Sequence, residues 1–164
     1  MLSLVLTAAI ALTGATPSPK VVEGEQVKQV QILKQDQESL VVVAADHLKK
    51  DGDKVSATFA AYLPKALQMG DGKHIDFIVT FETFDCSKKN GFTVNALEGY
   101  DVNIQPPVFT TGFGETWIVA EPKSLSETKW EMACKGNKTY PVLKDFQLHE
   151  DILYRYRKDP SFTP

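Results

Sequence analysis

Cysteine is scarce in this chain: two residues, Cys86 and Cys134, among 164. Two cysteines that far apart, with three scattered histidines, lack the ligand spacing of a metal site, so no metal is expected. Excess charge is missing too. Eighteen basic residues against 21 acidic ones leave a net charge of −3. That composition offers no basic field for a polyanion such as nucleic acid, which is set aside as a partner. No stretch after residue 15 approaches the roughly 20 apolar residues of a membrane helix, so no transmembrane segment is expected in the mature chain. Nucleophile elbow, Gly-rich phosphate loop and zinc-protease helix are all missing, which argues against an enzyme and against a cofactor.

What is present begins with MLSLVLTAAIALTGA, a segment without a charged side chain. Leu2 to Leu12 has the length of a signal-peptide core, although the positively charged n-region is missing. Thr13-Gly14-Ala15 supplies the small residues a signal peptidase cuts, which makes 1–15 the signal peptide. Residues 16–26, with two prolines and a glycine, read as a flexible mature N-terminus. An exported chain enters an oxidising compartment, and an even cysteine count there points to a disulfide between Cys86 and Cys134. Such a bond would close a loop of 134 − 86 = 48 residues. A reactive cysteine assisted by His74 is the alternative, and no thiolate-stabilising cluster surrounds it.

Periodicity then gives the architecture. Val27, Val30 and Ile32 suggest a short edge strand. Ser39 to His47 is apolar and β-branched enough for a buried strand, and Asp51-Gly52 is a hairpin turn signal. Val55 to Leu63 follows as a partner strand that Pro64 ends. In His74 to Phe84, Ile75, Phe77, Val79 and Phe81 alternate with Asp76, Ile78, Thr80 and Glu82, which predicts a half-buried antiparallel strand. Asn90-Gly91 turns the chain into Phe92 to Tyr100. Residues 101–116 read as a loop, and Trp117 to Ala120 as a short strand. Ser124-Leu125-Ser126-Glu127 has capping-box spacing, and Gly136 suits a left-handed helix end. In the tail, Val142, Leu143, Phe146, Ile152, Leu153 and Tyr156 fit a helical stripe capped by Asp145. The run Tyr154-Arg155-Tyr156-Arg157 alternates like a strand instead. The fold class is therefore α+β: an antiparallel sheet of about five to six strands packed against one or two helices, covered on one face, with a single disulfide. The domain spans 27–140, with 141–164 as a C-terminal helix or extension.

The order of several motifs between Val41 and Cys134 resembles the surface-adhesin protein E-like family of Gram-negative bacteria. They are Asp46-His47-Leu48, the turn from Lys50 to Val55, Phe84-Asp85-Cys86, Tyr100-Asp101, Trp117 with Val119 and Pro122, and Ser124 through Glu127 to Cys134. Phe59 departs from the family's habit of tryptophan at that strand, and the chain after Pro141 is not covered. The resemblance implies a small antiparallel sheet packed on a helix, joined cysteines and export across the inner membrane. It implies association with host extracellular-matrix and plasma proteins, although fold alone does not transfer a role.

Function is thus expected to be non-enzymatic: an exported domain, periplasmic or on the outer cell surface, binding an envelope or extracellular-matrix protein. The competing expectation is a periplasmic envelope or stress protein with a structural or inhibitory role. Candidate partner-binding residues are Phe109 and Phe113 in the long loop, and Tyr154, Arg155, Tyr156 and Arg157 in the tail, because aromatics and arginine favour interfaces. The acids Asp51, Asp53, Asp71 and Asp76 lack calcium-loop spacing and read as solvated turn residues. His47, His74 and His149 read as surface residues.

Overall fold

The computed structural model describes residues 29–161 apart from 45–46, 89, 104–105, 115, 137–138 and 145–148. The signal peptide, the mature N-terminus, Val27, Asp145 and Phe146 lie outside the described residues. In chain order the strands are β1 (Gln29–Gln35), β2 (Leu40–Ala44), β3 (Lys49–Asp51), β4 (Lys54–Gln68), β5 (His74–Asp85), β6 (Gly91–Tyr100), β7 (Phe109–Gly112) and β8 (Trp117–Val119). Helix α1 (Leu125–Lys135), β9 (Val142–Lys144) and α2 (His149–Lys158) complete the order. All nine strands form one antiparallel sheet, in the order β7-β6-β5-β4-β2-β1-β9, with β3 added to β4 and β8 to β6.

The sheet is larger than the five to six strands expected, and the surplus comes from short pieces. Lys49–Asp51, taken as turn, is the first arm of the Asp51-Gly52 hairpin. Phe109–Gly112, taken as loop, pairs with β6, and Val142–Lys144, taken as part of a helical stripe, pairs with β1. Strands of three or four residues are too short for alternation to show. Because β9 covers its outer side, β1 is not the edge strand expected. Pro64 does not end β4 either. It falls in the irregularity between Tyr62 and Leu67, where no ladder partner requires its missing N–H.

Both faces are covered, not one. Along β2, Leu40, Val42 and Ala44 join one apolar cluster, and Val41 and Val43 the other. This is the pattern of a strand buried on both sides. Ile152, Leu153 and Tyr156 of α2 close the first cluster over Tyr62, Phe77 and Val79. Trp130 and Met132 of α1 close the second over Phe59, Phe84 and Phe92. Helix α1 starts where the capping motif predicts: the Glu127 amide donates to Ser124 Oγ at 3.2 Å. The Glu127 carboxylate reaches the Lys123 amide at 2.6 Å instead of that of Ser124, because the Ser124 N–H is held by the Glu121 carbonyl. Gly136, at φ 60°, terminates the helix in the left-handed region.

Candidate functional site

Cys86 and Cys134 are joined, with their Cα atoms 5.2 Å apart. The bond ties the turn after β5 to the last turn of α1. It fastens the helix above Phe59 and Phe84, so sulfur serves the scaffold on which the exposed residues are displayed.

The tail quartet is split by the α2 helix. Tyr154 is 66% exposed and Arg155 faces solvent. Tyr156 is fully buried, and its hydroxyl donates to the Asp36 carbonyl at 2.7 Å. Arg157 is half-buried: Nη2 donates to Asp76 Oδ1 at 2.7 Å and Nε to the Leu63 carbonyl. The period of 3.6 puts 152, 153 and 156 inward and leaves 154 and 155 outside. The two phenylalanines of the long segment separate as well. Phe109 lies against Gly99, where an added Cβ would sit 2.1 Å from the ring, while Phe113 is 47% exposed.

Asp76 is not a solvated turn residue: it is 1% exposed. Its Oδ2 accepts from the Val102 amide at 3.0 Å and lies 3.2 Å from His74 Nε2. Asp101, equally buried, meets the same histidine nitrogen at 3.3 Å. His74 is half-buried here, not on the surface, and the three groups place one ligand atom each within 4.8 Å. Arg157 neutralises Asp76, so the cluster acts as a clasp from α2 to β5 and the segment after β6. His149 also departs from the surface position expected. Its ring stacks on Phe77 with centroids 4.7 Å apart, and Nδ1 lies 2.6 Å from the Tyr62 hydroxyl. Burial, with a smaller contribution from His47, lowers its pKa from 6.5 to about 4. Burial pushes the Tyr62 phenol up, and burial followed by the Glu98 carboxylate does the same to Tyr100.

The other face of the sheet hides an ion pair. Lys129 Nζ meets Glu82 Oε1 at 2.5 Å, Thr80 Oγ1 donates to the same oxygen at 2.8 Å, and the ammonium sits 4.4 Å from the Phe59 ring centroid. Glu82 Oε2 and Trp130 Nε1 are buried without a hydrogen-bond partner among the described residues.

One groove of about 570 Å³ opens on the sheet away from α2. Along β5, the face that carries Phe77, Val79 and Phe81 beneath α2 continues as Thr83 and Asp85, and the chemistry turns from apolar to polar. Thr93 and Trp117 pair across β6 and β8 beside them. The bulge at Asn95 brings its amide to Thr83 Oγ1 at 2.8 Å. Asp85 accepts from the Ser87 hydroxyl at 2.6 Å and pairs with Lys88 at 3.1 Å, contacts that hold its carboxyl below the usual range. Lys88 Nζ lies 5.1 Å from the Trp117 ring centroid. The sequence places Trp117 at the start of a short strand and marks none of the groove residues as a site. The available signal was the polar pair Thr83 and Thr93 at one end of strands whose remainder is apolar. Chemically the groove offers hydroxyls, an amide, lysines and an indole face, the equipment for binding a polar ligand. No family model, curated protein or solved structure matches the chain.

Proposed function

We propose that the chain is an exported, non-enzymatic binding domain that engages a macromolecular partner at the cell envelope or surface. The Cys86–Cys134 bond carries this reading, because structural disulfides persist in oxidising compartments and an apolar leader precedes the domain. An open polar groove and an exposed Phe113 and Tyr154 fit display better than turnover. The likeness to the surface-adhesin protein E-like family supports the same reading through the motifs that carry it.

Fractionation tests it. The chain, expressed from its own start, should reach the envelope without residues 1–15 and without free thiols. Accumulation of the unprocessed chain in the cytoplasm with two free thiols would defeat the proposal. Protease added to intact cells then separates surface display, where the protein is cut, from the periplasm, where it is protected.

A further inference from the structure

Pairing register aligns five side chains across the sheet. Lys49 lies opposite Ser56, Ser56 opposite Thr83, Thr83 opposite Thr93 and Thr93 opposite Trp117. Directly opposed residues of antiparallel strands point to the same face, so Lys–Ser–Thr–Thr–Trp forms one row. At ~4.8 Å per strand the row is about 19 Å long. None of the five is buried: Lys49 and Ser56 are exposed, and the other three are partly so. A solvated sheet face is ordinarily polar, but two features go further than solvation requires.

The first is Trp117. Its indole lies flat on Gly91, where an added Cβ would be 2.2 Å from the ring, so only glycine leaves room for the ring to lie down. An indole spread on a sheet with its outer side toward the groove, with the exposed Lys88 ammonium 5.1 Å from its centroid, is a stacking platform. The second is charge. Averaged over the chain there is no basic field, yet Lys49, Lys54 and Lys88 gather here. Lys49 and Lys54 have no ion-pair partner among the described residues. In register Lys54 stands between Asp51 and Asp85, and Asp85 is already occupied by Ser87 and Lys88.

We propose that the row from Lys49 to Trp117 is a binding face for an extended glycan bearing spaced carboxylates. This rests on the binding-domain reading above and names its partner class. A pyranose presents an apolar C–H face that matches the indole, and hydroxyls that both donate and accept, as Ser56, Thr83 and Thr93 do. Lys54 and the exposed Lys88 meet carboxylates as point charges. A length of about 19 Å over five strands suits a chain of several sugars. The row lies on a face, not along a free strand edge, so it does not supply the backbone template on which an extended peptide would add a strand.

The test uses the exported, oxidised protein and two hexasaccharides. One alternates glucuronate with N-acetylglucosamine; the other is N-acetylglucosamine alone. Calorimetry at low salt should detect the acidic hexamer, with at least tenfold weaker binding of the neutral one. Trp117→Ala should weaken the acidic hexamer at least tenfold, and Trp117→Phe less. The exposed pair Lys54→Gln with Lys88→Gln should weaken it at least fivefold and flatten its salt dependence, and it carries the test if Trp117→Ala fails to fold. Lys65→Gln, exposed near the far end of β4 and outside the groove, should change nothing. No heat with either hexamer, equal affinity for both, or full affinity in the lysine double variant would overturn the assignment. An envelope-located protein that ignores both sugars would refute the glycan and leave the binding-domain reading to its own test.

Discussion

His149 is held against Tyr62 and Phe77 with a pKa near 4, well below its ordinary 6.5. A base whose folded pKa is depressed contributes stability that is complete above its unfolded pKa and is lost as pH falls toward the folded one. Stability should therefore decline between pH 6.5 and 4, by ~3 kcal/mol for this group. Urea midpoints across that range should show the decline, and His149→Gln should flatten it. The Lys129–Glu82 pair makes a second residue-scale prediction. Removing one partner of a buried pair leaves an uncompensated charge at a cost of roughly 3–5 kcal/mol. Lys129→Met should lower the unfolding free energy measured in urea by that much, with a lower midpoint, and adding Glu82→Gln should recover part of it, since a neutral amide needs no counter-charge. Equal midpoints for the single and double variants would contradict the coupling.

At the scale of elements, α1 is fixed at both ends by different means. Ser124 satisfies the amide of Glu127, and a cap of that kind contributes about 1 kcal/mol, so Ser124→Ala should lower thermal stability by that amount without changing the far end of the helix. At the C-terminal end, the disulfide closes a loop of 48 residues, which the chain-entropy model values at about 4 kcal/mol. Cys86→Ser with Cys134→Ser should show a loss of that order in urea, with the sheet retained by circular dichroism. Strand β7 and strand β8 behave as one edge interrupted after Gly112, opposite the Asn95 bulge, where the Phe113 amide donates to the Asn95 carbonyl at 3.0 Å. Bulged edges resist pairing with other chains. The groove and its tryptophan sit at this interruption, where the strands are re-aimed.

Across the whole molecule, two apolar clusters on opposite faces each depend on one helix. Deleting residues 149–164 would expose Tyr62, Phe77 and Val79 and remove the Arg157–Asp76 clasp. The truncated protein should lose its cooperative thermal transition and bind a hydrophobic dye; a sharp transition near that of the full chain would show α2 to be dispensable. Much of this was legible locally. Alternation from His74 to Phe84 identified β5, and Ser124 with Gly136 bounded α1 to the residue. The cysteine pair anticipated the bond, because only two thiols were present to join. Other features were not legible, for physical reasons. Strands β3, β7 and β9 are set by partners distant in sequence, since three or four residues carry no period. Tyr156 and Arg157 turned inward because a helix, not a strand, carries them. Asp76 and Asp101 found His74 only once β5 and β6 were laid side by side. The sequence alone determined which segments are apolar, where one helix begins and ends, and which cysteines could join, all of which depend on near neighbours. Tertiary structure decided the register, and with it the buried clasp, the covered second face and the row from Lys49 to Trp117, because cross-strand pairing assembles side chains that no local pattern relates.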